Sequence, residues 1–407
     1  RDQAEALATL ALRLAELGQT EEALAVARSI EDSFLLAKAL ANLALHIAPE
    51  QLQEALTVAR SIEDSYVQAD ALANLAPHLA PQEQATVLQE ALTVARSIKT
   101  SYFLTNILAT LVPHLALEHL QEALTVARSI KERLYQADTL ANLALRLATL
   151  RQSEEAFEVA RSIKDSYAQA DALANIASHL IPEEQATVLQ EALAVARSIE
   201  SSDYRADALV NLIPHLALEQ LQEVLGLACT IEHSYFRARV LATLAPHLAL
   251  EQLQEALAVA HSIEDSRDRT RVLTSLTSRL AELEQLQEAL VVARSIENSK
   301  DRADALTNLI PHLALEHLQE ALVVARSIEN SKDRADALAN LEPHLAELSQ
   351  AAIYMLWGET LNVLSSRSRV NLLADLAALS HLITCLGGFS AARETAQAIV
   401  DIGRWWP

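Results

Sequence analysis

Glycine is scarce in this chain: six residues among 407, alongside two cysteines, one methionine and only 4% aromatic residues. So little glycine and so few aromatics starve tight turns and strands, while the abundant alanine and leucine suit close-packed helices. Cys229 and Cys385 lie far apart in different contexts, and two thiols make no disulfide framework. Basic charge is also in short supply. A net charge of -22 excludes a general nucleic-acid binder, which needs a broad basic footprint over phosphates. No run of about 18 apolar residues is present, and the N-terminus lacks the basic, apolar and small-residue segments of a secretory signal. Neither a G-x-x-x-x-G-K-[ST] phosphate loop nor a G-x-S-x-G nucleophile turn occurs. These absences lead to the expectation of an all-α, cytoplasmic chain that meets neither membrane nor nucleic acid.

What is present is a repeat. A block close to Leu-Gln-Glu-Ala-Leu-x-Val-Ala-Arg-Ser-Ile returns ten times, its Arg marked by Arg28, Arg60, Arg96, Arg128, Arg161, Arg197, Arg294 and Arg326, with Cys229 and His261 in its place twice. Intervals of 32, 33 or 36 residues identify stacked supersecondary units. Such a stack offers a long surface in place of one catalytic crevice. The chain opens at Arg1 with a stretch that matches the middle of a repeat, compare Gln68 to Leu75, which reads as a piece cut from something longer.

In residues 50–81, Leu52, Ala55, Leu56, Ala59 and Ile62 recur at helical spacing, with Gln53, Thr57, Arg60 and Ser61 on the other side. Glu63, Asp64 and Ser65 break this helix. Ser65 with Gln68, like Ser166 with Gln169, reads as an S-x-x-Q capping box opening a second helix that buries Ala69, Leu72, Leu75, Ala76 and Leu79. Neither apolar face is satisfied within one hairpin, so neighbouring hairpins must cover both. Pro77, Pro113, Pro214, Pro246, Pro311 and Pro343 fall in the last turns of the second helices and are expected to kink them.

At about 100° per residue, Asp70, Asn74 and His78 form a stripe opposite the packed face of the second helix. Across the repeats the Asp position reads Lys38, Asp70, Asn106, Asp138, Asp171, Asp207, Arg239, Arg271, Asp304 and Asp336. The Asn position includes Asn142, Asn175 and Asn211, and the third column is mostly His, with Arg13, Arg146 and Arg279 replacing it at equal intervals. Histidines about 10 Å apart cannot share a zinc ion, so no metal or other cofactor is expected. The repeated Glu54, Glu90, Glu122 and Glu191 read as residues that begin helices and the repeated Arg as one that ends them, as the helix dipole favours.

Written as Ala-Asp-Ala-Leu-Ala-Asn-Leu-Ala followed by Leu-Gln-Glu-Ala-Leu-x-Val-Ala-Arg, the unit resembles a tetratricopeptide repeat over roughly residues 1–345, and Gly18 to Leu24 resembles that family's inter-helix turn. The resemblance implies a right-handed superhelical solenoid of about ten to eleven antiparallel hairpins whose second helices line a concave binding face. Units of 32 residues and Ala76 in place of the usual Gly depart from the family pattern. From 346 to 407 the repeat stops, and Trp357, Trp405 and Trp406 accumulate with Gly358, Gly387, Gly388 and Gly403. Leu372 to Leu379, Leu386 to Gly388 and Ala398 to Pro407 resemble the C-terminal end of bacterial STAND-class signal-transduction NTPases, which implies an NTPase module upstream. In physical terms this region is a helical cap shielding the last apolar face with tryptophan.

Packing needs the same residue in every unit, whereas selective binding does not, so the variable positions are the candidates. The residues opening the second helices read Phe34, Tyr66, Tyr102, Tyr135, Tyr167, Tyr204 and Tyr235, then Arg267, Lys300 and Lys332. Arg239 and Arg271, with Arg237, Arg267 and Arg269, make a local basic cluster in an acidic protein. An anionic group of a partner could dock there with aromatic contacts from Tyr102, Tyr167 and Tyr204; the alternative is pairing inside the helix, Asp268 with Arg271 for example. The candidate ligand surface is therefore Tyr102, Asp138, Asn142, Tyr167, Asp171, Asn175, Tyr204, Asp207, Asn211, Arg239 and Arg271. No catalytic residue is expected. The expected function is a non-enzymatic sensor that binds a protein, peptide or small ligand, with a free-standing scaffold for protein–protein interaction as the alternative.

Overall fold

The computed structural model describes residues 2–405, with the side chains of 49 and 402–405 left aside. Among the described residues there are 24 α-helices, six short 3-10 turns and no strand. The chain divides into two compact units, Arg1–Glu200 and Ser201–Pro407. Each is a helical repeat stack in which a leading helix, carrying the Leu-Gln-Glu-Ala-Leu block, alternates with a trailing helix. In the first unit Pro49–Arg60 leads and Ser65–Leu75 trails. Trailing helices pack side by side from Asp2–Glu16 through Ser33–Leu43, Ser65–Leu75, Ser101–Leu111 and Arg133–Thr149 to Ser166–Ala177.

The alternation of leucine and alanine explains this packing. Leu52, Ala55, Leu56, Ala59 and Ile62 of one leading helix, and Ala69, Leu72, Leu75, Ala76 and Leu79 after it, are all buried. Each buried leucine contributes about 1.5–3 kcal/mol, and the intervening alanines let helix axes approach closely.

The helix starts differ from the sequence expectation. Asp64, not Ser65, caps Ser65–Leu75: its carboxylate accepts from the Val67 amide at 2.9 Å. Gln68 turns backward, and its amide donates to the Arg60 carbonyl at 2.8 Å. Asp165 and Gln169 repeat this division of labour, with Gln169 donating to the Arg161 carbonyl at 2.9 Å. The Gln therefore satisfies the orphaned end of the preceding helix, a task no S-x-x-Q box performs. In the second unit arginine takes over the same position. Arg302 donates to Ile296 and Ser327 carbonyls, and Arg334 to those of Ile328 and Glu329.

The prolines also act differently from an internal kink. Pro77, Pro113, Pro214, Pro246 and Pro311 lie in 3-10 turns that follow the end of each α-helix, as in Ala76–His78. Of the six, Pro343 alone lies inside an α-helix, Ser331–Leu345. Where Arg replaces His and no proline precedes it, the helix runs on: Asp2–Glu16, Arg133–Thr149 and Ser266–Glu282 extend to 15 or 17 residues. Each then reverses through a left-handed residue, Gly18, Arg151 or Glu284, with φ of 78°, 63° and 60°. Arg146 and Arg279 reach back to the carbonyls of Leu115 and Leu248, one repeat earlier. The evenly spaced arginines thus mark long trailing helices tied to their predecessors.

Beyond the last recognisable repeat the packing pattern persists. Gln350–Ser365 packs on Leu318–Arg326, and Arg369–Ala378 packs on Ser331–Leu345. A final helix, Ser380–Trp405, breaks at Gly387 and Gly388. Trp357 lines a small apolar cavity together with Leu322, Leu345 and Leu379. The side chain of Trp405 and all of Trp406 lie outside the described residues. No single helix among the described residues is long and apolar enough to cross a membrane.

Candidate functional site

Two groups of candidate residues emerge, one in each unit. Tyr102, Asp138, Asn142, Tyr167, Asp171 and Asn175 lie on three successive trailing helices of the first unit, Ser101–Leu111, Arg133–Thr149 and Ser166–Ala177. Tyr204, Asp207, Asn211, Arg239 and Arg271 lie on three successive trailing helices of the second, Ser202–Leu212, Ser234–Leu244 and Ser266–Glu282.

In the first unit the polar stripe is organised along each helix. Asn175 donates to the Asp171 carboxylate at 3.1 Å, and Asn74 to that of Asp70 at 3.2 Å, the i,i+4 contact that helical spacing allows. Asp138 and Asn142 are exposed. Although Asp138 is exposed, partial loss of hydration by its carboxyl raises it above its ordinary range, and the negative charges of Asp165 and Asp171 push it further. Asp70 is raised too, by burial, against the pull of its Asn74 hydrogen bond. Among the described residues no basic group lies within ion-pair distance of Asp70 or Asp138.

Beside these carboxylates runs a row of rings. Tyr66 stacks on Phe103 with centroids 4.4 Å apart, Phe103 meets Tyr102 at 5.6 Å, and Tyr102 meets Tyr135 edge-on at 6.0 Å. Tyr102 is 51% exposed and Phe103 38%. Alignment on Ser65 and Gln68 shows that Tyr135 and Tyr204 stand one position further along than Tyr66, Tyr102, Tyr167 and Tyr235. The aromatic column therefore staggers, and the stagger brings Phe103 and Tyr135 into one contiguous row. Phe103 escaped the sequence reading, which followed a single column; the Tyr-Phe doublet at 102 and 103 was the signal for it.

The second unit neutralises its own charges. Arg239 forms an ion pair with Asp207 of the preceding trailing helix. Arg269 is engaged by the Ile263 and Glu264 carbonyls and by Glu297 at 2.7 Å. Arg271 remains exposed and lies over the Tyr235 ring at 5.2 Å. Asp268 accepts from the Ser234 hydroxyl at 2.8 Å and is buried, so Arg271 leans toward the ring and not toward Asp268. The expected basic cluster is thus largely committed to internal contacts.

The repeated Arg does end its leading helix, as Arg28, Arg60 and Arg161 do, but the repeated Glu lies beyond the first turn, as Glu54 does in Pro49–Arg60, and the two stripes form a cross-repeat ladder. Arg60 engages Glu90 bidentately at 2.8–3.0 Å, Arg96 meets Glu122 at 2.8 Å, and Arg28 with Glu54 and Arg161 with Glu191 follow the same rule. The repeated histidines are exposed or half-buried. Among the described residues no three His, Cys, Asp or Glu side chains converge as a metal site requires.

No family profile matches the chain, and no curated protein does. Solved structures do. The chain is similar to Kap121p bound to Ste12p, at 14% identity with a TM-score of 0.56, over 97% of this chain and 49% of that one. It is similar also to Kap121p bound to Pho4p (15% identity, TM-score 0.54, 97% and 49% covered) and to Kap121p bound to Nup53p (14%, 0.51, 98% and 51%). The chain spans about half the length of these solved chains. At such identities the likeness is one of fold: this is an all-helical repeat solenoid, as its sequence periodicity required.

Proposed function

We propose that this chain is a non-enzymatic recognition solenoid that captures a protein partner on the faces of its trailing helices. The observation that carries this reading is the aromatic row of the first unit, a run of contacting rings across three successive trailing helices in which Tyr102 and Phe103 stay open to solvent. Uncovered aromatic groups beside ordered polar groups are characteristic of protein-recognition surfaces. The solved structures of similar fold are complexes of Kap121p with protein segments, which supports the class of partner. The tail's resemblance to STAND-class NTPases supports a more specific reading, in which capture is relayed to an NTPase module elsewhere in a longer chain. Hydrogen exchange on the captured complex tests the core of this proposal. Protection is expected over residues 65–75, 101–111 and 133–149, and protection confined to the leading helices refutes it. A phosphate loop upstream in the gene, and nucleotide hydrolysis stimulated by the captured partner, are the outcomes expected of the STAND reading.

A further inference from the structure

The charges beside the aromatic row define the chemistry of what it takes up. Tyr66, Phe103, Tyr102 and Tyr135 form a single strip across three successive trailing helices, with Tyr102 and Phe103 exposed and Tyr66 and Tyr135 half-buried. Asp70 lies one helical turn from Tyr66, and Asp138 one turn from Tyr135. Both carboxylates lack a basic partner within ion-pair distance among the described residues, whereas the equivalent Asp207 of the second unit has acquired Arg239. An uncovered aromatic strip flanked by uncompensated negative charge attracts a cation bearing a long aliphatic stem, through Coulomb attraction and cation–π contact together.

We propose that this strip docks an extended segment of a partner protein in which lysine or arginine recurs at every third position. This rests on the recognition reading above and names its partner class. The register follows from two lengths. Neighbouring packed helices are about 8–10 Å apart, and a guest in the extended polyproline-II conformation advances about 3.1 Å per residue with three residues per turn, so three residues span one repeat and every third side chain faces the strip. Asp70 and Asp138 are two trailing helices apart, so the two basic residues that meet them are six apart in the guest. Between them, the stem of an intermediate basic residue crosses Tyr102 and Phe103, where the Asp column holds the neutral Asn106.

The test uses the full chain and three fluorescent peptides of about twelve residues: lysine at every third position among Ser and Gly, the same composition with its lysines contiguous, and glutamate in place of lysine. Fluorescence anisotropy at low ionic strength is expected to show binding of the spaced lysine peptide, weaker binding of the contiguous isomer and none of the glutamate peptide. The double variant Asp70→Asn with Asp138→Asn should weaken the spaced peptide roughly tenfold, as should Tyr102→Ala with Phe103→Ala, while Asp304→Asn with Asp336→Asn, an equal loss of charge in the second unit, should leave affinity within about twofold. The Asn variants are isosteric, so they decide the matter even if the ring truncations fail to fold. Unchanged affinity in the Asp70/Asp138 variant, an equal loss in the Asp304/Asp336 variant, equal binding of both lysine isomers, or absence of binding overturns the proposal. If the peptides fail while a captured partner still protects residues 65–75 and 101–111 from exchange, the guest is not cationic but the recognition reading survives; if that protection is missing too, both fall.

Discussion

Arg334 and Asp375 are both fully buried and join residues 41 apart, pinning Arg369–Ala378 to Ser331–Leu345. The guanidinium engages the carboxylate through Nε and Nη2, each at 3.0 Å, and its remaining nitrogen Nη1 donates to the Ile328 and Glu329 carbonyls at 2.9 and 3.0 Å. Asp375→Ala leaves a buried guanidinium without its counter-charge, and Arg334→Ala leaves a buried carboxylate and two carbonyls without donors. Each single change should cost about 3–5 kcal/mol. Arg334→Met with Asp375→Leu removes both charges and keeps the volume, so only the two lost carbonyl bonds remain to be counted, about 1–3 kcal/mol. The double variant is therefore expected to cost several kcal/mol less than the sum of the singles. Burial pushes the Asp375 carboxyl upward despite the pull of Arg334, which agrees with a pair that specifies position more than it adds stability. Repeat stacks open locally, so a global melt would blur the effect. Native-state hydrogen exchange over residues 369–378 reads it directly. Single variants that lose less than about 1 kcal/mol, or costs that simply add, would refute the reasoning.

Three further outcomes follow from the same geometry. Asp70→Asn should leave stability unchanged or raise it by less than about 1 kcal/mol near pH 7, because the folded state holds this carboxyl above its ordinary value and so penalises its charge. The folded wild type binds the proton more readily, its stability falls as pH rises from the ordinary value through the raised one, and the advantage of Asn should vanish below both; paired denaturation curves at neutral and acid pH check this. Arg151→Gly and Glu284→Gly should each stabilise by about 0.5–1 kcal/mol in urea titrations, since both residues adopt the left-handed conformation that Gly18 occupies at the equivalent turn. Arg60→Ala should cost no more than about 1 kcal/mol, and that cost should fade in high salt, because its Glu90 partner is a surface contact.

The repeat and its hairpin were legible because both rest on periodic burial, which leucine and alanine positions record directly. Less legible were contacts that join one repeat to the next. Arg60 and Glu90 stand 30 residues apart, so the sequence shows two stripes and not the bond between them. The capping role of Gln68 was hidden because the same S-x-x-Q spacing describes a forward-facing box, and only the position of Asp64 excludes it. Arg239 gave no sign of its partner either, since Asp207 sits in the same column one unit earlier, where a column comparison records a difference in charge and not a contact. The Asp–Asn spacing did predict a shared helix face, and the structure adds that Asp70 with Asn74 and Asp171 with Asn175 are hydrogen-bonded along their own helices.

Variation between repeats marks recognition only where it frees a side chain from internal contacts, as the arginines of the second unit show by contrast. Gln68, Gln136 and Gln169 are replaced by Arg269, Arg302 and Arg334, a gain of positive charge that looks like a change of surface. Yet glutamine and arginine there perform one task, donating to carbonyls at the end of the preceding leading helix. A substitution that changes charge while keeping its acceptors says nothing about a partner. The substitutions that do are those leaving a side chain with fewer internal contacts than its counterparts have: Asp70 and Asp138 without the arginine that Asp207 acquires, and Tyr102 with Phe103 in a ring row still open to solvent. That criterion is the ground on which the aromatic strip and flanking carboxylates of the first unit are proposed as its recognition surface. In the second unit Arg267, and Arg271 over Tyr235, are exposed members of the basic cluster.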